Sequence, residues 1–82
     1  MALSKDLLEV SILTPDGTLF QGNARRVALP GEQGVFEVLP RHKSLMSRLF
    51  QGVILIDDRS IPIQRGMVRV ALDAVRAIVE VA

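Results

Sequence analysis

The chain contains no cysteine, no tryptophan and no tyrosine, and only one histidine. Without thiols there is no disulfide framework, no thiolate nucleophile and no cysteine-held metal, and a lone histidine cannot assemble a histidine cluster. The missing large aromatics remove the platforms on which single-stranded nucleic acid stacks. Charge of one sign is lacking as well: ten Lys and Arg stand against nine Asp and Glu, for a net +1, which exerts little long-range pull on nucleic acid or an anionic membrane. Long apolar runs are also absent. Val53 to Ile56 falls far short of the roughly 18 residues of a membrane span, and Met1 to Asp6 lacks the apolar core of a signal peptide. The expectation is a soluble chain that acts where it is made, or where it is delivered once a transit segment is gone.

What is present is apolar, short and punctuated. Eighty-two residues, 49% of them hydrophobic, suit one domain over residues 1–82 with a single core. A mean hydropathy of +0.33 leaves apolar surface over for a partner. Leu8, Val10 and Ile12 alternate with Glu9 and Ser11, the period of a half-buried strand, and Pro15-Asp16-Gly17 supplies a turn after it. Thr18 to Gln21 returns as a second strand, Gly22-Asn23 reads as another turn, and Arg25 to Leu29 places Val27 and Leu29 inward until Pro30 stops it.

Farther on, Leu45, Met46, Leu49 and Phe50 fit a strand beginning at Ser44 or one helical turn, with strand the preferred reading. Val53 to Ile56 looks like a strand covered on both faces, and Asp57 to Ser60 turns it back. Ile61 to Gln64, holding Pro62, should lie at a sheet edge with the missing donor outward. Met67 to Leu72 and Val75 to Val81 form a last pair around Asp73-Ala74. Turn signals every eight to twelve residues and no sustained helical period predict an all-β fold, a two-sheet β-sandwich of about nine to ten short strands.

The densest stretch is Pro30 to Met46, where two prolines, two glycines, a basic cluster and the only histidine surround Val35, Phe36, Val38 and Leu39. Gly31 and Gly34 free the backbone to turn and Pro40 ends the extended segment. Pro30-Gly31, Gly34, Val38-Leu39-Pro40 and His42, in that order, resemble the epsilon subunit of the rotary F-type ATP synthase. That family's N-terminal β-sandwich carries a Pro-Gly-x-x-Gly-x-Φ-Gly-Φ-Φ-Pro-x-His motif, with Φ apolar. The apolar pair Leu45-Met46, the glycine Gly52, the upstream Thr14-Pro15 and Phe20 with Gly22, and the downstream Gly66 before Met67-Val68 extend the likeness over nearly the whole chain. Glu37 stands where the family usually has glycine, Arg41 where glycine is common, Ser44 where proline is usual and Arg69 where an acidic residue often sits.

The resemblance implies a non-catalytic subunit of the central stalk, without cofactor or metal, that binds the gamma subunit with one sheet face and the c-ring with the motif end. It implies a peripheral position on the cytoplasmic, matrix or stromal side of an energy-transducing membrane, held there by other subunits and without direct insertion. The family continues from this sandwich into a regulatory pair of helices, whereas the sequence ends at Ala82, so the inhibitory switch is not expected in it. Leu72-Asp73-Ala74-Val75-Arg76-Ala77 matches the Leu-Asp-x-x-Arg-Ala pattern that some members use for ATP in their helical region. Here it overlies the turn of the last hairpin, with no glycine-rich phosphate loop beside it, and reads as coincidence.

At the c-ring end the candidate contacts are Glu32, Gln33, Val35, Arg41, His42 and Lys43. Glu32 and Gln33 are either solvated turn residues or polar contacts that fix orientation. Val35 occupies a position that often carries glutamate in the family. His42 between two cations lacks the orienting carboxylate of a general base, so it is a solvated loop histidine or a contact. Arg25, Arg26, Arg48, Arg59, Arg65 and Arg69 are balanced by acidic residues and read as solvated strand faces, with no nucleic acid as partner. Two other classes compete: a stand-alone β-sandwich protein-interaction module that binds peptides through an open edge, and an oligonucleotide-binding barrel.

Overall fold

The computed structural model describes residues 6–81, which form strands and short connections around one core. The expectation for Met1 to Asp6 lies outside the described residues except at Asp6. Nine strands follow one another: β1 Leu8–Thr14, β2 Gly17–Ala24, β3 Val27–Gly31, β4 Gly34–Val38, β5 Leu45–Leu49, β6 Gly52–Ile56, β7 Arg59–Ile63, β8 Arg65–Ala71 and β9 Ala74–Glu80. They form a five-stranded sheet in the order β2-β1-β9-β8-β5 and a four-stranded sheet in the order β4-β3-β6-β7. This is the expected two-sheet sandwich.

Alternation builds the core. Leu8, Val10 and Ile12 of β1, Val68 and Val70 of β8, and Val75, Ala77 and Val79 of β9 face inward from one sheet; Val27, Leu29, Val38, Ile54, Ile56 and Ile63 meet them from the other. Each larger member contributes about 1.5–3 kcal/mol by leaving water. Among the described residues no polar or charged side chain is buried. At one open side of the sandwich the Arg59 guanidinium sits 5.5 Å from the Phe20 ring centre, tying the edge strands β7 and β2.

Several local expectations are corrected. Gly22-Asn23 is not a turn: β2 runs on to Ala24, with Gly22 opposite Val10 and Asn23 opposite Glu9. Pro30 does not stop β3, which continues to Gly31 with Pro30 opposite Val35. The ladder from β3 to β6 covers only Val27 and Ala28, and the Pro30 carbonyl accepts from the Phe50 amide at 2.9 Å. The missing donor thus falls where the chain no longer needs one.

The run Val53 to Ile56 is covered on one face only, since Ile54 and Ile56 are buried while Val53 and Leu55 are exposed. The following turn is Asp57-Asp58 rather than Asp57 to Ser60, because Arg59 and Ser60 already pair with Ile56 and Leu55. Leu45 to Leu49 is a strand, as preferred, paired along β8, and β7 with Pro62 is an edge strand. The last hairpin turns on Leu72-Asp73, both left-handed at φ 50° and 64°.

The two ends of the sandwich differ. At one end lie Arg25-Arg26, the loop from Leu39 to Ser44, Asp57-Asp58 and Leu72-Asp73. Here the Asp57 carboxylate accepts from the Arg25 and Arg26 amides at 3.0–3.2 Å, and Asp73 Oδ1 accepts from the Arg41 amide at 2.6 Å. The other end collects Pro15-Asp16, Glu32-Gln33, Phe50-Gln51 and Gln64.

Candidate partner-binding surfaces

The six candidate contact residues do not form one cluster. Glu32 and Gln33 are the exposed two-residue tip of the β3–β4 hairpin, between Gly31 and Gly34. Gly34 takes φ 115°, a backbone that side chains rarely adopt, and a Cβ on Gly31 would lie 2.8 Å from the Phe36 ring. Val35 follows on the outer face of β4, 71% exposed. Arg41, His42 and Lys43 lie beyond the other terminus of β4, so the strand alone separates the groups by about 13 Å at ~3.3 Å per residue. The motif that is continuous in sequence therefore supplies both ends of the molecule.

The basic loop is held by its backbone. Arg41 adopts φ 69°, the left-handed region in which glycine is at ease, and its amide is fixed by Asp73 of the β8–β9 turn. The His42 amide donates to the Leu39 carbonyl at 3.1 Å, and His42 Nδ1 lies 2.7 Å from the Lys43 carbonyl oxygen. Glu37, outward on β4, pairs with Arg26 at 3.4 Å.

Among the described residues no group of three or more His, Cys, Asp or Glu could hold a metal ion, and no helix is long and apolar enough to cross a membrane. In the Leu72-to-Ala77 segment, Val75 and Ala77 point into the core and the Asp73 carboxylate is engaged with Arg41. These residues form the turn and following strand of the last hairpin.

An apolar row on the surface is one whose residues the sequence does not reveal. On the outer face of the five-stranded sheet, Arg48, Met67, Ile78 and Leu13 lie side by side across β5, β8, β9 and β1, with Met46 one row away. Met46 is 68% and Ile78 62% exposed. A shallow depression of about 340 Å³ is lined by Leu13, Met46, Met67, Arg69, Arg76 and Ile78. A second, of about 670 Å³, shares Met67 and Ile78 and reaches Phe50. The available signal is the parity of β8: once Val68 and Val70 are inward, Met67 and Arg69 must be outward. The outer face of the four-stranded sheet carries Val53 and Leu55, with Glu37 and Arg26 alongside.

Comparison with known proteins follows the same lines. Residues 7–82 match the family described as ATP synthase, Delta/Epsilon chain, beta-sandwich domain. The chain is 45% identical over 80 residues to an ATP synthase epsilon chain of a Nitratiruptor species, covering 92% of this chain and 62% of the relative. It is 37% identical to that of a Sulfurovum species, with the same coverage. It thus spans a little under two thirds of the length of these relatives. In fold it is similar to a chain of the Euglena gracilis mitochondrial ATP synthase, with TM-score 0.81 and 15% identity over 90% of this chain and 51% of that one. A chain of the central stalk/c-ring structure from Tetrahymena thermophila mitochondrial ATP synthase gives TM-score 0.73 and 14% identity, over 89% and 63%.

Proposed function

The chain belongs to the ATP synthase delta/epsilon β-sandwich family, and on that premise we propose that it is a rotor subunit of an F-type ATP synthase, a non-catalytic coupler between the gamma subunit and the c-ring. Such a part works by shape and adhesion. It must resist torque, which the sandwich does through one continuous apolar core, and it must present separate surfaces to two partners.

The split of the motif meets the second requirement. The hairpin tip Glu32, Gln33 and exposed Val35 form the c-ring rim, where hydrogen bonds fix orientation and the apolar side chain resists slip. The loop Arg41, His42 and Lys43, at the opposite end, runs directly into β5 and its exposed Met46. It belongs to the gamma side together with the outer face of the five-stranded sheet. The protein sits peripherally on an energy-transducing membrane, held there by these partners. The observation that carries the reading is family membership over residues 7–82. Affinity capture with tagged chain from the source organism's own extract tests it: gamma and c subunits should co-purify, and their absence at low salt refutes the coupler.

A further inference from the structure

Half of this chain's arginines gather on one sheet face. The outer side of the five-stranded sheet carries Arg48, Arg65, Arg69 and Arg76 against Glu9 and Glu80. Glu80 is committed to Arg65 at 3.1 Å, and Arg48, Arg69 and Arg76 make no ion pair among the described residues. Arg69 and Arg76 are direct cross-strand partners, an arrangement of like charges that destabilises a sheet by itself. Between and beside these cations lie Met46, Met67, Ile78 and Leu13. We infer that this face is the seat of an acidic amphipathic helix of the partner, with the methionine and isoleucine row taking its apolar stripe and Arg48, Arg69 and Arg76 pairing with carboxylates on its flanks. The inference rests on the coupler reading and adds to it the face used and the chemistry of the segment that docks.

The geometry favours this occupant. A sheet face offers side chains and no free backbone groups, so an extended peptide laid on it would leave its own amides unpaired, whereas a helix satisfies them internally. From β1 to β5 the face spans three inter-strand steps, about 14 Å at ~4.8 Å each, which accommodates a helix of roughly 10 Å diameter. Methionine side chains adapt to such a stripe. A second copy of this chain is disfavoured, because a two-fold pairing of this face would oppose arginine to arginine. A nucleic acid would leave the methionine and isoleucine row without a partner.

Arg69→Glu with Arg76→Glu reverses the charge, Met67→Asp breaks the apolar row, and Val53→Asp on the other sheet is the control. Binding to purified gamma subunit of the same synthase is measured by biolayer interferometry at low and high salt, with folding of each variant checked by circular dichroism. Wild type binds more weakly as salt rises. The double charge reversal and Met67→Asp each weaken binding by about tenfold or more, while Val53→Asp leaves it within about twofold. If wild type binds gamma and the charge reversal does not weaken it, or if Val53→Asp is the damaging change, the inference fails and the coupler stands. If wild type does not bind gamma at all, both fall. Co-sedimentation with phosphatidylglycerol vesicles, or binding of a single-stranded oligonucleotide, that is lost in the charge-reversed variant while gamma binding persists would assign the arginines elsewhere and overturn the inference.

Discussion

Replacing Gly66 by alanine adds one methyl group where the fold has no room for it. Gly66 stands in β8 directly opposite Val79 of β9, and a Cβ there would lie 2.6 Å from the Ile78 carbonyl oxygen, 2.8 Å from Val79 Cγ1 and 3.1 Å from Val79 Cα. Two of the three obstacles are backbone, so relief requires β9 to move away from β8. β9 is the central strand of its sheet and also pairs with β1, and it carries buried Val75, Ala77 and Val79. The cost belongs at the upper end of the range for overpacking, about 3 kcal/mol. For a domain of this size about 1 kcal/mol lowers Tm by roughly 4–8 °C, so Gly66→Ala should melt roughly 12–24 °C below wild type. Thermal unfolding followed by far-UV circular dichroism reads this directly. Gly22→Ala is the matched control, because its Cβ meets only the half-buried ring of Phe20 at 3.4 Å and beyond; it should stay within about 1 kcal/mol of wild type. A Gly66→Ala protein that melts within about 3 °C of wild type, less than about 1 kcal/mol on the same scale, would refute the close approach of β8 and β9.

Two other positions test the turns. Leu72 is 96% exposed at φ 50°, so Leu72→Asn should raise the urea midpoint by the equivalent of about 0.5–1 kcal/mol with unchanged slope, since asparagine tolerates this backbone better; a lower midpoint contradicts the assignment. Asp57→Ala removes the acceptor for the Arg25 and Arg26 amides and puts alanine at φ 51°. It should cost about 2 kcal/mol, and Asp57→Asn, which keeps an acceptor and tolerates the backbone, less than half of that; an unchanged urea midpoint for Asp57→Ala would show that the carboxylate's bonds contribute nothing.

The sandwich is readable because its signals are local. Leu8, Val10 and Ile12 alternate within one strand, and Pro15-Asp16-Gly17 turns within three residues. Neighbours in space are not readable: the parallel pairing of β1 with β9 joins Glu9 to Ala74, and no local pattern encodes it. Pro30 misleads because a rule about ladders does not say where the ladder to β6 ends. Val53 to Ile56 misleads because an unbroken apolar run looks the same whether its second face meets a helix or lies open. The contact residues suggest one site because Glu32 and Lys43 are close in sequence, yet the five residues of β4 carry them to opposite ends. The Met67 and Ile78 row is hidden because each strand contributes one or two residues, and only the sheet assembles them.

The most direct test of the coupler is proton-driven ATP synthesis in inverted membrane vesicles carrying the synthase with altered versions of this chain. Substitution of the tip, Glu32→Ala with Gln33→Ala and Val35→Asp, should lower ATP synthesis and ATP-driven proton pumping together while ATP hydrolysis persists, as expected of a rotor that slips on the c-ring. His42→Ala with Lys43→Ala, at the other end, should leave the contact with the c-ring intact and instead weaken retention of gamma. Full coupling in the tip variant, with the subunit still bound, would contradict the assignment of that end to the ring.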